Sequence, residues 1–460
     1  MTLKDLFLYL TFQRSAIDRI AACPSALWLG LCLVLLAAVA RDYDGIDLQA
    51  EPWHLLIPAG ASLVTATTLF AWLRLFQCEG LRKLRYRTFL SLFWLTAPMA
   101  WLYAIPVERF LTAAQATEAN LWLLAIVSLW RVLLITRVVS HLTAQPHSAA
   151  FCRVMLFADT IVLIILRNTP LPMLNIMGGI RLQDRDRVLQ NAALLTGLLS
   201  VVLWPILAAA NLSFVVRRWP KLNTDSASKD APPEDLSPAE SSRAESFLPA
   251  VPVHVSAWLF VAALTAAGAA LLSIAQPEQR LRYAAEKLLT SGRVAEGLRM
   301  MSAHRPDEFP PLWVPPPAVG WQHMKPHPAE SAFLSLQPDI ADWVRTIMLT
   351  HFTNYFGTTD YAFHQWQDLS IEELTFTLEV LKHNDLLDEE FTRTALDKLK
   401  WAYEDDPNPD RRNLATEFLN QTSPGRAENA SPAVTLALFP QSQMLAAVGT
   451  RASVYITVFG

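Results

Sequence analysis

Two side chains in this sequence carry charge where charge is expensive. Arg131 lies in the apolar stretch Leu121–Ile135, and Asp159 lies near the centre of the next one, Val154–Leu166. A charge at the middle of a bilayer costs about 2.5–3.5 kcal/mol on insertion scales, and an opposite charge at the same depth lowers that cost. Consecutive spans joined by one loop are commonly antiparallel neighbours. If the first helix continues through Val138 and Val139, the two residues meet at similar depth and are expected to pair. Such a pair fixes the register of two helices; its functional version is a gate or a proton relay.

Three further sets of residues could do chemistry. The loop Asp42-Tyr43-Asp44-Gly45-Ile46-Asp47 places carboxylates around a glycine, as in part of a calcium loop. An EF-hand needs a Glu at its twelfth position, and counting from Asp42 that position is Trp53. Asp42, Asp44 and Asp47 therefore remain weak candidates for cation contacts on a solvated loop. Trp53, beside His54, suits the headgroup layer. Arg181, Arg185 and Arg187 precede an apolar stretch and could hold lipid phosphates or simply anchor a helix end. Six of the ten histidines (His304, His323, His327, His351, His364 and His383) fall in the C-terminal part. His323 and His327 have i, i+4 spacing, but Pro326 and Pro328 argue against a helix there. With no HExxH present, no metal is assigned. The sequence has no GxSxG, Walker motif or GxGxxG, calls for no cofactor and names no catalytic residue.

The elements that must position these groups are seven apolar stretches: Ala26–Ala40, His54–Leu73, Phe89–Ile105, Leu121–Ile135, Val154–Leu166, Ala192–Val215 and Val253–Ile274. A bilayer core about 30 Å thick needs about 20 helical residues, so the shorter stretches must recruit their flanks. The fifth is the weakest, interrupted by Asp159 and closed by Arg167 before Asn168-Thr169-Pro170. The segment Met173–Ile180 after it is too short to span and reads as interfacial or re-entrant. Were it to span, the C-terminal part would change sides.

Composition agrees, with 52% apolar and only 17% charged residues. The charge is uneven: residues 276–460 carry 16 Lys/Arg against 24 Asp/Glu, and residues 1–275 carry 22 against 18. An acidic tail offers no broad basic face, which excludes nucleic acid as its partner. Cys23, Cys32, Cys78 and Cys152 all lie in or beside the apolar half and form no CxxC pair, so neither a disulfide-stapled domain nor a Cys-type zinc site is expected.

Residues 1–24 show no small-residue cleavage pattern and are expected to form an interfacial helix ahead of the first span. Residues 25–218 make a six-span block, and residues 219–250, rich in Ser, Ala, Pro and Glu, a disordered linker. Residues 251–275 make the seventh span, and residues 276–460 a soluble domain. With the N-terminus inside, the inner flanks carry fifteen Lys/Arg and the outer loops six. The excess of positive charge on cytoplasmic loops then puts the N-terminus in the cytoplasm and the tail outside it. The four arginines after the fifth span (Arg167, Arg181, Arg185 and Arg187) pull locally the other way. A bacterial inner membrane is the default location.

Helical periodicity in the tail predicts helices over Glu278–Leu289, Arg293–Ala303, Asp339–Tyr355, Ile371–Asn384, Asp388–Tyr403 and Pro409–Asn420. Ser370 with Glu373 makes a capping box, and Asn408 caps a helix opened by Pro409. The seven prolines of Asp307–Pro328 predict an extended loop. Val434–Phe439 and Ser453–Phe459 are β-branched enough for two short strands. The run from Tyr283 through Ser291-Gly292 to Gly297-Leu298 resembles one tetratricopeptide unit over about 25 residues, with no second copy at a 34-residue period. That resemblance implies a helical hairpin and, at most, a binding surface.

The fold class is thus mostly α: a polytopic bundle of about seven spans with a mainly helical soluble domain ending in short strands. The function expected is a non-enzymatic envelope anchor or scaffold. It sits in a lipid bilayer and presents residues 276–460 to another envelope protein. The alternatives are a transporter or channel with Arg131 and Asp159 on its pathway, and a membrane-embedded lipid-processing enzyme.

Overall fold

The computed structural model describes residues 1–76, 85–167, 184–228, 252–317, 326–357, 366–404 and 406–422, and those residues form helices and loops with no strand. The membrane half consists of α1 (Leu3–Leu10), α2 (Arg14–Ala21), α3 (Ala26–Asp42), α4 (Leu56–Leu75), α5 (Tyr86–Trp94), α6 (Ala113–Thr143), α7 (His147–Arg167), α8 (Asp184–Ser228) and α9 (Val255–Thr290). Six helical segments are long and apolar enough to cross a membrane, and a seventh crossing follows if α2 and α3, bent by 108°, count as one span.

The six qualifying segments coincide with the second to seventh apolar stretches, the first stretch lies in α3, and the differences have physical causes. The fifth span reaches crossing length by recruiting residues before Val154: the helix starts at His147, so His147–Leu166 qualifies despite Asp159. The third changes character midway. After α5 the chain tightens into a 3₁₀ segment, Ala97–Ala104, that opens with a proline at its first turn; a proline there removes an N–H that an α-helix would use. Met173–Ile180 and the two C-terminal strands lie outside the described residues. The helix α8 runs on to Ser228, into the segment expected as linker.

Helix α3 is the central strut, packing on α4, α5, the 3₁₀ segment and α9. Contact with α5 is close enough to need a glycine: a Cβ on Gly30 would lie 2.9 Å from the Trp94 Cβ. One core joins Leu69, Phe70, Phe89, Phe93 and Val139. A second joins Leu6, Tyr9, Ile17 and Ile20 to Leu29 and Leu134, so α1 and α2 are packed into one end of the bundle. The peripheral helices are α8 and α9. Only 6% and 11% of their most apolar windows are buried, and Leu198, Val201, Val202, Ile206 and Leu259 point outward.

Hydrogen bonds sort the connections onto two ends. At the first, the Met1 amino group donates to the Pro252 carbonyl (2.8 Å) and the His254 N–H donates to the Met1 carbonyl (2.7 Å). There too Arg137 Nε donates to the Phe12 carbonyl (3.2 Å), and His141 meets Asp18 at 2.7 Å. At the second end lie the loop after α3, the short 3₁₀ turn Val107–Arg109 and the far half of α9. Both α3 and α9 run from the first end to the second, so the N-terminus and the tail sit at opposite ends.

The tail begins inside α9. The seventh apolar stretch and the helix expected over Glu278–Leu289 form one continuous 36-residue helix, with Pro277 inside it. The polar anchoring of Gln276 and Gln279 described below holds this stretch in place. The turn at Gly292 (φ +84°) reverses the chain into α10 (Val294–Ser302). A Cβ on Gly297 would meet the Leu289 side chain at 2.9 Å, so these two helices form the close-packed hairpin that the local resemblance implies.

Beyond it come α11 (Pro328–Ser335), α12 (Asp342–Gly357), α13 (Ile371–Lys382), α14 (Glu389–Tyr403) and α15 (Pro409–Thr422). Ser370 and Glu373 make the expected reciprocal cap (3.2 and 2.8 Å), and Asn408 Oδ1 accepts the Asp410 N–H (3.0 Å). The proline-rich segment is less uniformly extended than expected. It contains a 3₁₀ turn at Pro306–Glu308 and ends where Pro328 opens α11, with His327 Nδ1 capping the Ala329 N–H at 3.2 Å. A proline at a first helical turn gives up a donor that has no intrahelical partner anyway.

Candidate functional site

Among the described residues, polar groups gather around Arg131 and at the junction between bundle and tail. Arg131 projects from the middle of α6, and its guanidinium lies over the Phe93 ring, 4.7 Å from the centroid. The π-face supplies partial negative charge to the half-buried cation. Tyr9 and Tyr103 are near enough to interact with it electrostatically; the Tyr9 hydroxyl donates to the Leu92 carbonyl at 2.6 Å. A cavity of about 30 Å³ adjoins Arg131, lined also by Thr65, Ser128 and Phe157.

Asp159 is buried too, 6% exposed, but it is not among the cavity's lining residues. Its Oδ2 is buried with no hydrogen-bond donor. Among the described residues no ion pair joins Asp159 to Arg131: the structure keeps both charges inside the bundle without bringing them together. The signal that sequence reasoning missed is aromatic. Phe93 stands in a stretch read only for its hydrophobicity, while its face is what Arg131 uses.

The acidic loop serves as an attachment point. Asp47 Oδ1 accepts the N–H groups of Gln49 and Ala50 (3.0 and 3.3 Å) and so shapes its own turn. Asp42 lies close to Arg41 and His54, and Asp44 close to Glu108 and Arg109. The three carboxylates thus face different neighbours, and among the described residues no three His, Cys, Asp or Glu side chains are grouped to hold a metal. Of the arginines considered for lipid phosphates, Arg181 lies outside the described residues, Arg185 falls in the first turn of α8, and Arg187 follows it, exposed.

The loop backbone is gripped by α9. Gln276, only 5% exposed, accepts the Leu48 N–H at Oε1 (2.9 Å) and donates from Nε2 to the carbonyls of Tyr43 (2.9 Å) and Ile46 (3.0 Å). Gln279 donates to the Asp44 carbonyl. Arg282 Nη1 donates to the Gly45 carbonyl (2.9 Å), and its Nε bonds Glu286 (2.9 Å), which in turn accepts from Trp313 Nε1 (2.8 Å). Alongside, Arg109 Nη2 bridges both oxygens of Glu278 at 2.9 and 2.8 Å. One unbroken series of polar contacts therefore runs from the loop after the first span, through α9, to the proline-rich segment of the tail.

A second cavity, about 360 Å³, lies between α4, α7 and α8 and is walled by Leu75, Phe76, Leu156, Leu212 and Val215. Its polar residue, Asn211, turns its amide N–H groups onto the carbonyls of Cys152 (3.0 Å) and Leu207 (2.9 Å). That arrangement joins α7 to α8 and provides no reactive group. No protein-family model matches this chain, and neither a curated protein nor a solved structure is similar to it.

Proposed function

We propose that this chain is a non-enzymatic, multi-pass membrane anchor that holds an acidic helical protein-interaction domain rigidly against its own bundle, outside the cytoplasm. The observation that carries this reading is the single helix α9. It belongs to the bundle at one end and to the tail at the other, and Gln276, Gln279, Arg282 and Glu278 fasten it at the point of emergence. A domain that needed only tethering would be served by a flexible linker; here the tail is held in one orientation. The acidic balance of residues 276–460 suits a partner with basic residues, and the excess of Lys/Arg at the N-terminal end of the bundle supports a cytoplasmic N-terminus. A bacterial inner membrane fits this arrangement.

The transporter reading draws on Arg131, half-buried, and Asp159, buried, both at mid-helix. Against it, the cavity beside Arg131 has room for only one or two waters and does not include Asp159. Reporter fusions at Ser226 and Asn429 should report opposite sides of the membrane. Photo-crosslinking from the exposed Ile371 of the full chain should trap one protein of defined mass. Both reporters on one side would overturn the orientation. Ion or solute flux in reconstituted vesicles that Asp159→Asn abolishes would replace the anchor by the transporter.

A further inference from the structure

The cavity of about 360 Å³ between α4, α7 and α8 is space that the side chains of the bundle leave open. Leu75 and Leu212 on its rim are exposed on the outer surface of the helices, so it opens toward lipid. Its walls are apolar except at Asn211, whose amide N–H groups are already spent on the Cys152 and Leu207 carbonyls. A polar ligand would lose water here without compensation. At about 30 Å³ for a water-sized group, the space takes a run of about a dozen methylenes.

The three helices place this space in the half of the bundle next to the first end. Helix α4 finishes there at Leu75, and Leu156 stands nine residues, about 14 Å, beyond the start of α7 at His147. Helix α8 runs antiparallel to α7, since Gly197 lies against Leu166 and Asn211 against Cys152. At the level of the cavity, or closer to the first end, each helix carries arginine. Arg74 precedes Leu75 and is exposed, with its guanidinium 4.6 Å from the Phe70 ring centroid. Arg153 stands one turn nearer the first end than Leu156. It is buried and donates to Gln145, and its guanidinium lies 5.9 Å from the ring centroid of Phe76, a wall of the cavity. Arg217 and Arg218 follow Val215 along α8. No Asp or Glu occurs in residues 56–76, 147–158 or 206–218, so nothing acidic on these helices offsets that charge at this depth.

We propose that this cavity seats one acyl chain of an anionic phospholipid whose phosphate meets the arginines at the first end. A chain entering it from bulk lipid passes between two apolar surroundings and gains nothing by transfer. Preference among lipids therefore comes from charge, and the walls decide that the bound part is an apolar chain. Arg74 supplies the exposed contact, its long side chain reaching the headgroup layer. Arg153 adds positive charge from behind the Phe76 wall. The seat requires only that the bundle lies in a bilayer, so it stands whether or not the tail captures a partner.

The test is native mass spectrometry of the full chain in detergent, with phosphatidylglycerol and phosphatidylcholine of identical oleoyl chains offered in equal amounts. A single phosphatidylglycerol should be retained per chain, preferred about tenfold over phosphatidylcholine. Arg74→Gln should weaken retention about fivefold, and Ala208→Phe, which puts a ring into the cavity, should abolish it. In the parent protein, phosphatidylglycerol with a photoreactive group at mid-chain should label peptides covering residues 72–76, 152–158 and 206–215. Equal retention of the two lipids overturns the seat and leaves only annular lipid. So does retention unmoved by Arg74→Gln or by Ala208→Phe. Displacement by inorganic phosphate overturns it as well, because the ligand would then be a free anion. If Ala208→Phe fails to fold, labelling of the parent protein on other spans refutes the seat equally.

Discussion

Replacing Gln276 by Leu asks how much of the tail's attachment depends on one side chain. Leu is one carbon shorter than Gln276 and has no hydrogen-bonding group; Gln276 sits 5% exposed and makes three hydrogen bonds to the backbone of the loop, at 2.9, 2.9 and 3.0 Å. Each such bond is worth about 0.5–1.5 kcal/mol net, and leaving its partner buried and unpaired moves the cost toward the upper end. Three together give about 2–4 kcal/mol. At 1.4 kcal/mol per factor of ten, local opening of the loop from α9 should become about thirty- to several-hundredfold more frequent. Exchange of the Leu48 amide in the full chain, at a fixed pH of 6, reads this directly. Arg109→Gln is the comparison. It removes an ion pair whose arginine is 34% exposed, and such pairs are worth only about 0–1 kcal/mol. If Arg109→Gln opens the junction more than Gln276→Leu does, or if Gln276→Leu changes Leu48 exchange by less than threefold, the attachment is electrostatic and the glutamine is incidental.

Three other outcomes follow from particular contacts. Gly30→Ala should destabilise the bundle by about 1–3 kcal/mol in detergent melts, because the new methyl meets the Trp94 Cβ, which cannot swing aside; an unchanged melting temperature would refute the close approach of α3 and α5. His351 is buried with both ring nitrogens unpartnered, and burial lowers it to about 4. The unfolded chain therefore binds the extra proton between pH 6.5 and 4, and stability should drop there by up to about 1.4 kcal/mol per pH unit. His351→Leu should flatten that slope, as read by tail unfolding followed at several pH values. Asp159→Asn should leave the bundle's melting temperature unchanged or raise it, since Asp159 Oδ2 has no donor to lose; a drop worth more than about 1 kcal/mol would mean that the carboxylate is held by a partner.

Much of the architecture was legible because bilayer thickness and helical period act locally. Six of the seven apolar stretches carry helices long and apolar enough to cross a membrane, the first qualifying only together with α2, and the caps at Ser370 and Asn408 depend on residues three apart or closer. What the sequence could not show was set by partners far along the chain. Helix α9 reads as two elements because Gln276, Pro277 and Gln279 interrupt the apolar run, yet those glutamines find carbonyls more than 200 residues away. Arg131 and Asp159 have the right depths for a pair, but depth says nothing about azimuth around the helix. The Phe93 face, not the Asp159 carboxylate, occupies the side of α6 on which Arg131 projects. The acidic loop looked like a ligand set because composition records carboxylates, and only the fold reveals that its backbone carbonyls carry the attachment.

Helix α9 also fixes a mechanical phase. At 1.5 Å per residue its 36 residues extend about 54 Å, against a hydrocarbon core of about 30 Å, so nearly half of the rod stands clear of the lipid. One end is pinned through His254 to Met1 and the middle through Gln276 to the loop. Adding a single residue between those pins would advance everything beyond it by 1.5 Å and turn it by about 100°. The tail would then point elsewhere in the plane of the membrane, with no contact inside it altered. Length changes of three or four residues, close to a whole turn, would nearly restore its bearing. The distance between two glutamines and a histidine therefore sets the compass direction in which the tail points.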